Sequence, residues 1–223
     1  MPKIAVLGGN GYLASIIKNQ NNIKKNEYTF FSREKNSDNF INYVNLKNNI
    51  SIFKNFDILL HLVGPSNKEI NKKLLKEKKN ITINICNLCI KNNIKLIYVS
   101  SMQVYKNYGK NNITINSKKN LSNLYAKSHY ESEKIINRKF INNKNMFLII
   151  RLGNVFGFKN FEDFSKIKNN LVHSLCFTAY NEKKILIKNG SIQRTFIPSN
   201  IFIHSINTII KKNYFKNSII NVV

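Results

Sequence analysis

The stretch KIAVLGGNGYLA, residues 3–14, decides the fold. KIAVLG (3–8) is a continuous run of the kind a strand buried on both faces needs, and a helical period opens soon after it. GGNGYLA (8–14) lies at the junction. Gly8 permits a tight turn, Gly11 lets the backbone approach a pyrophosphate closely, and Ala14 is small enough for the helix to pack on the strand. An anion there would meet the free N–H groups and the positive end of the helix dipole.

The same alternation continues outward. YTFFS (28–32), INYV (41–44), DILLHLV (57–63), KLIYVSS (95–101), FLIIRL (147–152), KILI (184–187) and SIINV (218–222) read as strands. Helical patterns fall near 12–23, 47–55, 67–92, 122–143, 161–180 and 200–212. Apolar strands separated by helices predict an α/β, doubly wound parallel sheet of Rossmann type, covered on both faces. Residues 1–223 are expected to form one NAD(P)-binding domain, with the first 150 or so carrying the sheet. Residues 153–223 read as two short strand–helix pieces, a small and shortened substrate-binding lobe.

The formal charge of +25 looks diffuse. Of 36 basic residues only Arg33, Arg138, Arg151 and Arg194 are arginine, and the lysines are spread through a chain dense in Asn and Ile. That suits an AT-rich coding sequence better than a nucleic-acid footprint, and no nucleic-acid partner is expected. Against a Lys-rich background, a retained Arg points to a place that needs a planar bidentate fork. KEKKN (76–80) and KNNITINSKKN (110–120) read as solvated helix faces and loops. Three Cys make neither a disulfide framework nor a zinc site; Cys86 and Cys89 read as small core residues, and no metal is expected. Met1 leads directly into a strand and no apolar run has membrane-span length, so the expectation is a cytoplasmic protein away from membranes.

Six ordered motifs carry a resemblance: GGNGYLA (8–14), LLHLVG (59–64), YVSSMQVY (98–105), YAKSH (125–129), RLGNVFG (151–157) and QRTFIPSNI (193–201). In their order and spacing the chain resembles the NAD-dependent epimerase/dehydratase family of extended short-chain dehydrogenases/reductases, which act on nucleotide sugars. The resemblance implies a nucleotide-sugar substrate, hydride chemistry at a sugar carbinol or ketone, and room for a homodimer. It places Gly8, Asn10, Gly11, Tyr12, Leu13, Ser32, Arg33, Asn45, Leu46, Leu62, Val63 and Gly64 along the cofactor. It makes Ser101 the hydroxyl on the reacting oxygen, Tyr125 the acid/base, and Asn154 and Arg194 contacts to the substrate diphosphate. The cofactor is NADP or NAD: Ser32 and Arg33 at the end of the second strand tilt the reading to NADP, against the adjacent Glu34. Met102 and Gln103 stand where dehydratases carry an acidic pair, which lowers that option relative to epimerase or reductase chemistry.

Each motif residue also has a structural reading. Ser101 could serve a backbone group at a strand end, and Asn154 a turn, while Arg151 reads as structural. Thr195 and Asn200 stand where the family commonly has Asp, and the chain ends at Val223, tens of residues before its relatives usually do.

His129 is the sharpest departure. The resemblance implies Tyr-x-x-x-Lys, and the residue one helical turn after Tyr125 is His, while Lys127 points elsewhere. Imidazole near pH 7 is mostly neutral, so a cation about 5 Å from the phenol is lost, worth about 3 kcal/mol or roughly two pKa units. As a catalytic and cofactor-binding substitute for Lys, the His129 imidazole can still hydrogen-bond the nicotinamide ribose, so cofactor binding is expected to survive better than rate. The expectation is a slow or altered enzyme, beside the alternative of a non-catalytic NAD(P)-binding protein. On this reading His129→Lys raises turnover with the true substrate.

Overall fold

The computed structural model describes residues 1–19, 28–34, 37, 39–65, 69–106, 113–144, 146–157, 171–185, 187, 190, 191 and 193–223, with the side chains of 47–49 excepted. Six parallel strands form the main sheet. In chain order they are β1 (Ile4–Leu7), β2 (Tyr28–Phe31), β3 (Ile58–His61), β4 (Lys95–Ser101), β5 (Phe147–Leu152) and β8 (Ser218–Val222). Their spatial order is β2-β1-β3-β4-β5-β8. The chain runs outward from β1 to β2, then crosses back to β3 on the other side of β1. The sheet order therefore reverses beside β1, which is where such folds open a ligand crevice.

The two-residue period of the strands divides the core in two. Ala5, Leu7, Leu59, Leu96, Tyr98, Phe147 and Ile149 face α2 (Lys72–Asn92) and α3 (Leu124–Lys139), through Ile81, Ile85, Cys86, Cys89, Ile135 and Ile136. Ile4, Val6, Leu60, Ile97, Leu148 and Ile150 face α1 (Tyr12–Lys18) and α5 (Ser199–Lys211), through Ala14, Ile17, Phe202, Ile203 and Ile206. Both helices of the first face use the chain's abundant Asn as caps. The Asn71 side chain accepts from the Leu74 N–H at 3.0 Å, and that of Asn123 from the Ala126 N–H at 3.0 Å. Asn93, in the left-handed region at φ 54°, closes α2. Cys86 and Cys89 are free thiols in this core, as their spacing predicted.

Three expectations change. INYV is not a strand: Phe40 makes one isolated bridge to Ser32, then the Asn42 side chain caps a 3-10 helix, Tyr43–Phe53. A hydrogen-bonding side chain in the middle of a short apolar run thus ends the extended backbone. Of KILI, residue 186 lies outside the described residues, and Lys184, Ile185 and Ile187 carry no strand. Residues 153–223 are not simply an appendage. They build a two-stranded parallel sheet, β6 (Asn154–Phe156) with β7 (Phe196–Pro198), and α4 (Leu171–Glu182), and then return β8 to the main sheet against β5. The helix expected at 161–180 is described only from Leu171, and residues 20–23 of the first and 67–68 of the third expected helix likewise lie outside the described residues.

One buried ion pair ties α3 to the sheet. On β5, Arg151 donates from Nε to Glu133 Oε1 at 3.0 Å and from Nη2 to Oε2 at 2.6 Å. Its Nη1 donates to the Tyr105 hydroxyl at 2.6 Å and to the Ile115 carbonyl at 3.0 Å, while the Ser100 hydroxyl donates to Glu133 at 2.6 Å. Both side chains are 2% exposed. This is the planar fork that the scarcity of Arg suggested. Removing one partner strands the other charge, so Glu133→Ala should cost about 3–5 kcal/mol in urea denaturation. The apolar pair Glu133→Leu with Arg151→Met should recover most of that loss.

Candidate functional site

The glycine turn is locked from both sides. Gly8 and Gly9 donate their N–H groups to the Phe31 carbonyl at 3.1 and 2.8 Å, and Gly11 N–H reaches the Gly8 carbonyl at 2.9 Å. Gly8 adopts φ +93°, and a Cβ there would lie 3.1 Å from the Leu62 carbonyl carbon and 3.2 Å from the Val63 nitrogen. Only glycine meets both conditions. The Tyr43 hydroxyl accepts from Gly8 N–H at 2.9 Å and donates to the Phe31 carbonyl at 2.8 Å; burial pushes this phenol up to about 12.

A cleft of about 460 Å³ opens over this turn, at the reversal point between β1 and β3. It brings together Gly8, Asn10, Gly11, Ser32, Arg33, Leu62, Val63 and Gly64 from the expected cofactor set. Tyr43, Glu34, Glu77, Lys78 and Ile81 join them. Other members of that set lie elsewhere. Leu46 is buried in the core and Asn45 is exposed on the 3-10 helix, outside the cleft lining. Leu13 packs against the second core. Tyr12 donates its hydroxyl to the Gly157 carbonyl at 2.9 Å and packs edge-on to His173, joining the glycine turn to the segment after β6.

At the outer end of the cleft, Asn10 donates to Glu34, and Arg33 lies 3.6 Å from Glu77 with most of its side chain exposed. The Ser32 hydroxyl accepts from the Glu34 N–H at 3.2 Å. The group read as favouring a 2′-phosphate is therefore set among carboxylates.

At the inner end, α3 and α2 meet in a polar seam beneath Tyr125. Ser101 caps a short 3-10 turn, its hydroxyl accepting from the Gln103 N–H at 3.2 Å, which keeps its O–H free to donate. Tyr125 lies in the first turn of α3, edge-on to His129 with ring centroids 4.6 Å apart. His129 is 8% exposed, and its Nδ1 is hydrogen-bonded to the Tyr98 hydroxyl at 2.8 Å. Burial first, then the charge of Lys78, hold its pKa well below the usual histidine value, so the ring is neutral at pH 7. Its Nδ1 is committed to the core. His61 stacks near Tyr98 at 4.9 Å and accepts from the Val63 N–H through Nδ1; burial and Lys78 push it down to about 3. Lys127 is exposed, as its place on the helix predicted.

Asn154 and Arg194 are brought to one short ladder. Asn154 donates from its backbone and its side chain to the Thr195 carbonyl, at 2.9 and 3.0 Å, and Arg194 precedes that residue half-buried. Among the described residues, no three of His, Cys, Asp and Glu gather as a metal site, and no helix is long and apolar enough to cross a membrane.

Lys78 corrects the reading of KEKKN as a solvated face. It is 2% exposed. Its ammonium donates to the Ser128 hydroxyl at 3.4 Å, stands 6.0 Å over the Tyr125 ring, and lies 3.3 Å from where a Cβ on Gly64 would be. The signal was in the helical period: Lys78 shares one stripe with Ile81, Thr82, Ile85 and Cys89, all buried. A lysine on an apolar stripe is conspicuous only once register is considered rather than composition.

The sequence model of the family described as NAD dependent epimerase/dehydratase matches residues 4–222. Over 175 residues the chain is 29% identical to the ADP-L-glycero-D-manno-heptose-6-epimerase of Brachyspira hyodysenteriae, an alignment covering 69% of this chain and 55% of that protein. The chain thus spans about half the length of the curated relative it matches. The solved ADP-L-glycero-D-manno-heptose-6-epimerase of Helicobacter pylori superposes with a TM-score of 0.77 at 20% identity, over 99% of this chain and 76% of that one. The L-threonine dehydrogenase of Clostridium difficile gives 0.80 at 16% identity, over 100% and 76%. At such identities the structural likeness concerns the fold alone.

Burial pushes the Lys78 ammonium down from 10.5 to about 7, with Glu133 opposing. The charged form is disfavoured in the folded chain, so its cost is fully present below pH 7, fades as pH rises, and is gone above 10.5. Lys78→Met should therefore stabilise the ligand-free protein below pH 7 by on the order of 4 kcal/mol. Thermal melts across pH should show that advantage shrinking steadily toward alkaline pH.

Proposed function

The chain belongs to the NAD dependent epimerase/dehydratase family, and from that premise we propose that it binds NAD across the β1/β3 reversal and acts on a nucleotide sugar by hydride transfer at a sugar carbinol or ketone. The observation that carries this reading is the cleft itself. It starts at a turn where Gly8 cannot accept a side chain and ends at Lys78, beside the ring of Tyr125. The turn leaves backbone close to the cleft, which suits a diphosphate. Leu62, Val63 and Gly64 form the wall further in. Bound there, the nicotinamide supplies the hydride acceptor.

The chain's own groups would do the rest. Tyr125 moves the carbinol proton, which requires its phenolate to be accessible. The Ser101 O–H, with its oxygen already holding the Gln103 N–H, is directed to donate to the reacting oxygen. Arg194 and the β6–β7 ladder that Asn154 secures offer a place for the substrate diphosphate. The match to a heptose epimerase makes an ADP-sugar the first substrate to try, with epimerase or reductase chemistry ahead of dehydration.

NAD is favoured over NADP. A 2′-phosphate at the end of β2 would approach the carboxylates of Glu34 and Glu77, whereas a 2′-hydroxyl can donate to one of them. This reverses the tilt that Ser32 and Arg33 suggested. One observation favours a second reading, an NAD-binding protein without turnover: His129 is neutral and engaged with Tyr98.

Calorimetry with NAD and NADP, followed by incubation of the NAD complex with ADP-sugars, tests the proposal. Binding of NAD with product formation is expected, and Tyr125→Phe should lower turnover on the order of 10²- to 10⁴-fold while leaving NAD affinity within a few-fold. NAD binding with no product from any nucleotide sugar would move the chain to the second reading. No binding of either dinucleotide sinks both.

A further inference from the structure

We propose that Lys78, reaching in from α2, supplies the ammonium that a Tyr-x-x-x-Lys pair takes from the tyrosine's own helix, holding the nicotinamide ribose and lowering the cost of the Tyr125 phenolate. This rests on the proposed NAD site and deepens it.

Geometry carries the proposal. Lys78 is the residue common to the cleft and the Tyr125 surroundings: it lines the first and stands 6.0 Å over the second. Its acceptor among the described residues is Ser128 at 3.4 Å, a long bond, while an ammonium has three protons to donate. Gly64 leaves open the space beside Nζ that any side chain would narrow. Thr82, one turn along α2, accepts no part of this charge; its hydroxyl donates to the Lys78 carbonyl and meets Ser132. The ammonium is therefore held by the seam without being used up by it.

His129 fits the same arrangement. A second cation at position 129 would face Lys78, whose charge already depresses the His129 imidazole. A neutral ring bonded to Tyr98 can occupy the turn after Tyr125 without that repulsion. The neutral His on α3 and the buried Lys on α2 are thus two halves of one arrangement. His129→Lys on its own is expected to give no gain, in contrast to what position 129 suggested in isolation.

A structural reading of Lys78 is disfavoured by cost. A buried ammonium with one distant acceptor destabilises the ligand-free fold, and a methionine stem would fill the same stripe without that penalty. Residues that lower stability in this way concentrate at functional sites.

The groups facing Lys78 set the pH behaviour. They are Tyr125, His129 and Glu133 from α3, His61 from β3, and Glu77 at the cleft, while Tyr98 of β4 reaches the seam through His129. Both histidines are neutral at pH 7, whereas Lys78, pushed down to about 7, changes charge near neutrality. A ligand that prefers the ammonium binds more weakly as pH rises above about 7.

The test measures NAD affinity by calorimetry from acid to alkaline pH in four proteins: wild type, Lys78→Met, His129→Lys, and the double variant. Circular dichroism melts establish that each is folded. Wild type should lose affinity as pH rises above about 7. Lys78→Met should bind about ten- to a hundredfold more weakly at pH 6, with a flat profile. His129→Lys alone should not improve on wild type, and His129→Lys in the Lys78→Met background should restore most of the lost affinity. Turnover should follow the same order, with Lys78→Met down on the order of a hundredfold. Wild-type affinity in folded Lys78→Met at every pH, or failure of the double variant to exceed it, overturns the role of Lys78 and leaves the NAD site standing. Wild type that binds no NAD overturns the site and this inference together.

Discussion

The fork of Arg151 on Glu133 holds α3 at its distance from the sheet. α3 carries Tyr125, Ser128, His129 and Ser132, and Glu133 is the carboxylate through which the helix grips β5. The pair survives burial because every oxygen and most N–H groups are met. Ser100 adds a donor, while Tyr105 and the Ile115 carbonyl take the remaining Arg nitrogen. Without those extra bonds the desolvation of two charges would exceed their attraction. The fork also fixes rotation about the helix axis. Glu133 and His129 are four residues apart, so pinning one to the sheet turns the other toward Tyr98 and leaves Tyr125 at the exposed end.

Above that anchor the interface of α2 with α3 departs from ordinary helix packing. Its lower part is apolar, with Ile85, Cys89, Ile135 and Ile136, but its upper part is Lys78, Thr82, Ser128 and Ser132. Small hydroxyl side chains let the helices approach and still satisfy one another: the Thr82 and Ser132 hydroxyls are hydrogen-bonded at 3.1 Å, and Lys78 donates to Ser128 at 3.4 Å. What remains is a polar end of the seam that holds the Lys78 ammonium. Coulomb repulsion in a low-dielectric seam makes the positions at 78 and 129 alternatives, since two ammonium groups there would cost several kcal/mol. The helix that supplies the charge is less constrained than the point in space where it must arrive.

This explains which parts of the molecule could be read from the chain. The buried strands, the glycine turn and the two long helices follow from period and turn chemistry, because both are local. INYV was misread since a four-residue apolar run is equally compatible with a 3-10 turn, and Asn42 settles the matter by capping. β8 looked like part of an appended piece because its pairing with β5 joins residues about 70 positions apart, which no local pattern records. In the site, Ser101, Tyr125 and the cleft-lining glycines were visible as motifs. Tyr43, His61 and Tyr98 were not, because their contributions arise from contacts between elements far apart in the chain: Tyr43 reaches Gly8, and Tyr98 reaches His129. Leu46 was assigned to the cofactor by the family resemblance, yet burial gives it to the core.

Lys78 shows how composition can conceal a functional charge. Most lysines of this chain are interchangeable solvated groups, and a Lys-rich run offers no reason to single one out. Arg151 could be noticed because arginine is scarce here, so identity alone carried information. For lysine, information lies in position: a residue that costs least in water has been placed where water is excluded, one helical turn from Thr82 and two from Ile85. A drift in codon usage that fills exposed positions with lysine acts without regard to burial, but the cost of desolvation would remove it from an apolar stripe unless something held it there. In this fold the open space beside Gly64, the Ser128 hydroxyl and the Tyr125 ring all converge on that one ammonium.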